Sequence, residues 1–143
     1  MNDKDLVKLA SHARERSYSP YSKFKVGAAL LARNGKVYTG CNIESASYTP
    51  TNCAERTAFF KAVSEGVVEF EAIAVVGAPS GANVDLCYPC GVCRQVMAEF
   101  CDSDFRIIMT DEKNQMHICT LDEILPYRFG PSDLKKKETY LND

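Results

Sequence analysis

The chain lacks a surplus of basic charge, a long apolar run and more than a pair of histidines, and each shortage closes off a class of function. Lys and Arg number 17 against 19 Asp and Glu, a formal net charge of −2, whereas a surface built to meet polynucleotide phosphates carries an excess of cations. The densest basic cluster, Lys135-Lys136-Lys137, is flanked by Asp133, Glu138 and Asp143 and reads as a solvated chain end. No apolar stretch approaches the roughly 20 residues of a membrane span. The charged start Met1-Asn2-Asp3-Lys4-Asp5 leads into no apolar signal segment. His12 and His117 have no ligand spacing with any cysteine cluster, so surface or strand positions are expected for them. Repeats, linkers and low-complexity segments are absent too. The expectation is a cytoplasmic protein that binds neither nucleic acid nor membrane.

What the sequence does hold is a globular core and a surplus of thiols. At 143 residues and 45% hydrophobic, it suits one domain, 1–143, able to fold without disulfides. Its seven cysteines are an odd number, and in a reducing compartment clustered cysteines are metal ligands more often than bridges.

Leu6, Leu9, Ala10 and Ala13 recur at spacings of three and four between charges, which predicts an amphipathic helix over Lys4 to Arg16, broken by Ser17-Tyr18-Ser19-Pro20-Tyr21. Val26 to Ala32 and Lys36 to Asn42 read as strands around Arg33-Asn34-Gly35, because Asn-Gly favours a hairpin turn. Ala54 to Ser64 reads as a helix ending at Gly66, and Phe70 to Gly77 as a buried strand. Pro89 introduces a helix over Gly91 to Phe100 with Val92, Met97 and Phe100 on its apolar side. Arg106 to Thr110 and Met116 to Thr120 are strands, Leu121 to Leu125 a short helix, and a polar tail begins at about 132. The order αββαβαββα implies an α/β domain with a mixed sheet and helices on both faces.

The chemistry is concentrated in Cys53-Ala54-Glu55-Arg56 and Pro89-Cys90-Gly91-Val92-Cys93-Arg94. Cys90 and Cys93, three apart at a helix start, present both thiols to one metal. Cys53 at a second helix start supplies a third thiolate, and both helix N-termini favour the ionised sulfurs. Three protein ligands suit a zinc ion, one per chain, with a fourth position left for water, where a structural site would close with four. Glu55 stands beside that position as proton carrier. The pair of motifs is the all-cysteine version of the signature of hydrolytic nucleobase deaminases. Cys87 extends the run to C-x2-C-x2-C and is an alternative ligand, but Pro89 favours Cys90 and Cys93 as the pair in the first turn. Three thiolates on Zn²⁺ leave a net negative charge, and Arg56 is expected to donate to ligand sulfurs, while Arg94 reads as a surface ion pair. Cys41, Cys87, Cys101 and Cys119 are expected as small buried apolar residues. Read from the residues alone, Phe24 is a core aromatic and Asn42 a turn residue.

At these motifs the chain resembles the cytidine deaminase family, the small homotetrameric type that acts on free nucleosides. The resemblance extends over Tyr21-Ser22-Lys23-Phe24-Lys25-Val26-Gly27, Gly40 to Tyr48, Cys53 to Ala58, Lys61 to Gly66, Pro89 to Gln95 and Leu125 to Pro131. It implies a three-layer α/β/α fold around a five-stranded mixed sheet, with zinc on Cys53, Cys90 and Cys93. It further implies that Asn42 and Glu44 bind the ribose hydroxyls, that Phe24 packs against the base, and that the Ala54 backbone donates to the base carbonyl. Tyr48 and Phe129 would reach a neighbouring subunit's pocket in the tetramer. Two departures stand out: Tyr88 occupies a position where the family commonly has serine, and Tyr48-Thr49-Pro50-Thr51-Asn52 varies where many members have glycine or leucine. The implied reaction is deamination of cytidine and 2′-deoxycytidine in pyrimidine salvage. Its rivals are deamination of another aminopyrimidine nucleoside, as in blasticidin deaminases, a polynucleotide deaminase, and a non-catalytic zinc staple or thiol redox motif.

Overall fold

Strict alternation in the central strands decides the layering. In β1 (Phe24–Ala32) Val26, Ala28, Leu30 and Ala32 face one side of the sheet and Ala29 and Leu31 the other, and β3 (Phe70–Pro79) divides its residues the same way, Ile73 and Val75 against Ala72, Ala74 and Val76. Both faces are therefore apolar and both are covered. A computed structural model of the chain describes residues 1–135. The order is α1 (Asp3–Arg14), β1, β2 (Val37–Cys41), α2 (Ala54–Ser64), β3, α3 (Gly91–Phe100), β4 (Arg106–Thr110), β5 (Met116–Thr120) and α4 (Leu121–Ile124). The five strands lie in the order β2-β1-β3-β4-β5, with β3 and β4 parallel and every other pair antiparallel. This is the α/β mixed-sheet architecture expected, in three layers.

On one face α1 lays Leu6 and Ala10 over Ala29, Ala74 and Ile108. On the other, α2 and α3 bury Phe59, Ala62 and Met97 against Leu30, Ile73 and Ile107, and Phe59 meets Phe70 edge-on at 5.1 Å between ring centroids. Two glycines set how closely these helices approach. A Cβ on Gly27 would stand 2.0 Å from the Ala10 carbonyl oxygen, and one on Gly40 would stand 2.6 Å from that of Ala54. Gly40 thus seats the first turn of α2 directly on β2, and that turn carries part of the site described below.

Several expectations are corrected. The first strand starts two residues earlier, at Phe24, and β3 runs on to Pro79, because the two pair continuously from Phe24 opposite Pro79. Val92 is 58% exposed; the buried side of α3 is Cys93, Met97 and Ala98, since Cys93 turns inward and rotates Val92 out. Cys41, Cys87, Cys101 and Cys119 are half-buried rather than core residues. Residues 131–135, at the start of the polar tail, form a helical turn, and the rest of that tail, with Lys136 and Lys137 of the basic cluster, lies outside the described residues. No helix among the described residues is long and apolar enough to cross a membrane.

Candidate metal centre

Cys53 and Cys90 occupy the N-cap positions of α2 and α3, with extended backbone and no side-chain capping hydrogen bond. A Ser or Asp at an N-cap normally spends its side chain on the helix N–H groups. Here the thiols are left for another use. Cys93, in the first turn of α3, is buried beneath them. The three sulfurs lie within 4.8 Å of one another, and Cys53 Sγ and Cys90 Sγ are 3.7 Å apart. Tetrahedral zinc with Zn–S near 2.3 Å separates its sulfurs by about 3.8 Å, so the spacing and the donor chemistry both fit zinc. Cys87 stands outside the cluster: its Sγ packs against Gly77, 2.8 Å from where a Cβ there would be. Among the described residues only three thiols converge, which leaves a tetrahedral ion one open position.

The charges around the cluster are arranged for thiolates. The hydrogen bond from Cys93, followed by those from Arg56 and Cys90, draws the Cys53 thiol down to about 5. Cys93 moves the other way, since it keeps the proton it shares with Cys53. Arg56 Nη2 donates to Cys53 Sγ at 3.3 Å, while its buried Nε has no partner among the described residues. Among the described residues Arg94 makes no ion pair: Nε donates to the Pro89 carbonyl at 2.8 Å and Nη1 to that of Ile124 at 2.7 Å. It ties the start of α3 to α4 and so holds the loop that presents Cys90. Glu55, on the first turn of α2 beside Cys53, is only 4% exposed. Burial pushes its carboxyl up to about 7. A carboxyl so placed can take or release a proton near neutrality at a point adjoining the three sulfurs.

The sequence-predicted residues beyond the cluster are spread over neighbouring loops and strand ends. Phe24 opens β1 and is 38% exposed, so it is no core aromatic. Its ring Cε1 lies 3.2 Å from where a Cβ on Gly77 would be, beside Cys87. Ala54 is fully buried in the first turn of α2, where helix N–H groups have no intrahelical acceptor. Asn42 follows β2, and its amide clamps the start of β1: Nδ2 donates to the Phe24 carbonyl at 2.8 Å, and Oδ1 accepts from Val26 N–H at 2.9 Å and from the Ser17 hydroxyl. Glu44 Oε1 accepts from the N–H groups of Tyr21 and Ser22, each at 3.1 Å. Hydrogen bonds from Ser22, its side chain first, hold the Glu44 carboxyl below the usual carboxylate range. Glu44 and Tyr48 line a cavity of about 380 Å³ with Tyr21, Ser22 and Thr51. Tyr48 is 73% exposed with φ at 62°. Phe129 is exposed as well, its carbonyl held by Gln95 Nε2 at 2.8 Å.

Sequence reasoning missed Ser17, Ser22, Gly77 and the true partners of Arg94. Ser17 and Ser22 lie around a segment read only as a helix break, and the sole trace of their role is the density of small hydroxyls there. Nothing in the sequence marks Gly77, whose meaning comes from the two side chains folded over it.

Four similarities bear on this arrangement. A family model described as the cytidine and deoxycytidylate deaminase zinc-binding region matches residues 1–109. The chain is 50% identical over 134 residues to a cytidine deaminase of Sporosarcina psychrophila, covering 94% of this chain and 96% of that one. It is 49% identical to a cytidine deaminase of Halalkalibacterium halodurans, over 94% and 98% of the two. Among solved structures, a cytidine deaminase from Burkholderia pseudomallei superposes with a TM-score of 0.82 at 44% identity, over 90% of this chain and all of that one.

Proposed function

The chain belongs to the cytidine and deoxycytidylate deaminase family, and from that premise we propose a role for each residue of the site. The reaction is hydrolytic, zinc-dependent deamination of cytidine and 2′-deoxycytidine to uridine and 2′-deoxyuridine, with release of ammonia. Water adds to C4 of the pyrimidine and the C4–N bond breaks. Cys53, Cys90 and Cys93 would hold the ion, which when bound supplies Lewis-acid activation of water at its fourth position. Glu55 takes the proton lost by the attacking water and passes it to N3 of the ring, then takes the proton of the new C4 hydroxyl and delivers it to the departing amine, leaving the C4 carbonyl. Its burial beside the thiols supports this double duty, because a carboxyl near 7 is neither too strong an acid to hold a proton nor too weak to give one up. Arg56 offsets thiolate charge through Cys53.

Substrate binding follows from the groups left free. The Ala54 N–H donates to the base carbonyl, Phe24 packs on the base, and Glu44, kept ionised by Ser22 and Tyr21, accepts from ribose hydroxyls. Asn42 contributes its remaining Nδ2 hydrogen to the sugar while its other contacts fix Phe24 in place. A sugar-reading carboxylate argues for a nucleoside over the free base. The balanced surface charge argues against a polynucleotide. Four further parts of the reading are that residues 1–143 act as a single domain, that four copies assemble, that the protein works in the cytoplasm, and that it serves pyrimidine salvage. The exposed aromatics Tyr48 and Phe129 support the assembly.

The observation that carries the roles is the convergence of three thiols at two helix starts with a buried carboxyl against them. The test is incubation with cytidine, following loss of its absorbance with and without a chelator. Turnover that a chelator stops is expected; zinc-loaded protein without turnover would overturn the assignment. Four protein ligands found on the ion would favour the zinc staple instead.

A further inference from the structure

A second concave site lies on the opposite face of the sheet from the thiols. Helix α1 covers β1 and β3 but leaves β4 and β5 partly bare on its side, so that Ile118, level with Ile108 in the ladder, is 48% exposed. Between α1 and these strand ends is a cavity of about 600 Å³, within the range of drug-sized pockets. Its walls are apolar, formed by Val7, Val76, Val84 and Met116. Two features give it polarity. Lys4 and Lys8, one helical turn apart on α1, stand at its rim, and among the described residues neither ammonium has a carboxylate partner. Thr110, last residue of β4, shares the α1 side with Ile108 by alternation and lines the cavity at 5% exposure. Its hydroxyl has no hydrogen-bond partner among the described residues. Partnerless buried hydroxyls are costly and rare in native proteins.

We infer that this groove is a binding site for a small amphipathic anion, a molecule with an apolar body and one carboxylate or sulfonate end. The body fills the valine and methionine walls, the anionic end meets Lys4 and Lys8, and a polar atom of the ligand pairs with the Thr110 hydroxyl. The charge at the rim selects this occupant. Among the described residues no acidic side chain lines the cavity, so both ammoniums are left for an anion from outside.

The test is a fluorescence titration of the full zinc-loaded chain with 8-anilinonaphthalene-1-sulfonate, followed by displacement with decanoate, decanol or acetate. One probe per chain is expected, displaced by decanoate, less well by decanol, and not by acetate. The double change Lys4→Gln/Lys8→Gln should weaken decanoate roughly three- to tenfold at low salt, as two rim charges allow, with deamination unchanged. Val84→Trp should fill the groove and abolish displaceable binding. Thr110→Val keeps the shape and removes the orphan hydroxyl, so it should raise the melting temperature of the free protein while weakening decanoate about three- to tenfold. A merely structural threonine would instead lose stability. The inference fails if no decanoate-displaceable probe binds, if binding survives Val84→Trp, if Thr110→Val lowers the melting temperature, or if Val84→Trp changes the assembly state in light scattering, which would make a second copy the occupant.

Discussion

The proposed roles of Glu55 and the three thiols are separable, and single substitutions separate them. Glu55→Gln keeps the size of the side chain and leaves every thiol in place, so the variant should retain one zinc per chain while turnover falls by about 10²- to 10⁴-fold. Metal analysis beside steady-state rates reads both, and a loss of less than about tenfold would move the proton-carrying role to another group. Cys53→Ala, Cys90→Ala and Cys93→Ala should each shed the ion, since two thiolates remain. Cys87→Ala should keep it, because Cys87 packs on Gly77 away from the cluster. Zinc lost from Cys87→Ala and kept by Cys90→Ala would reverse the ligand assignment. The thiol cluster was legible in the sequence because Pro89 and the three-residue spacing constrain one helical turn by themselves. The support for the two residues proposed to bind the sugar was not legible: Ser17 and Ser22 reach Asn42 and Glu44 across 25 and 22 positions, a distance over which local spacing says nothing.

Elements carry these residues, and their seating is open to test. A methyl on Gly40 would meet the Ala54 carbonyl oxygen at 2.6 Å and the Ala58 nitrogen at 2.7 Å, both backbone atoms that cannot step aside. Gly40→Ala should therefore cost about 1–3 kcal/mol and lower activity as well, because α2 must lift and it carries Cys53 and Glu55. Denaturant unfolding beside activity measures this; an active variant of parental stability would show that α2 is not held by that contact. In the turn between β4 and β5, Asp111 accepts from the N–H groups of Lys113 and Gln115 at 2.9 Å and pairs with His117 at 2.8 Å. The His117 hydrogen bond, then those of Gln115 and Lys113, hold its carboxyl below the ordinary value. A depressed folded-state pKa contributes stability that is whole above the unfolded value of about 3.9 and is lost as pH falls through the folded one. Asp111→Ala should thus be less stable than its parent at pH 6, with the gap closing as pH falls through the lowered folded-state value. A gap that persists at acid pH would mean the carboxylate charge is not its source. Most element boundaries followed from pattern alone, α2, α3, β4 and β5 to the residue. Val92 escaped because the inward turn of Cys93, rather than hydrophobicity, fixes the rotation of α3.

At the scale of the whole molecule, the exposed aromatics ask for a partner. Tyr48 holds φ at 62°, a left-handed conformation that costs a non-glycine residue about 1–2 kcal/mol, and it presents its ring to solvent beside the cavity with Glu44. Strain of that kind is retained where something else is gained. A neighbouring copy closing over the pocket is that gain in the present reading, with Phe129 as a second anchor. Light scattering should give four chains, and the double variant Tyr48→Ala/Phe129→Ala should lose assembly and activity together. A fully active monomer at assay concentration would separate the chemistry from the assembly. What the sequence by itself determined was the local part: strand and helix periods, the turn at Asn34-Gly35, the placing of Cys53, Cys90 and Cys93 at helix starts, and the acid beside them. These depend on residues within a turn or two of each other, where backbone geometry permits few arrangements. Only the tertiary structure decided that Asn42 clamps the strand bearing Phe24, that Arg94 serves backbone carbonyls rather than an acid, and that Gly77 underlies both Phe24 and Cys87. It alone leaves the Thr110 hydroxyl without a partner among the described residues, in the cavity that Lys4 and Lys8 also line. Such relations join segments far apart in the chain, and they are fixed by which sheet face each side chain takes and how closely two helices can settle on it.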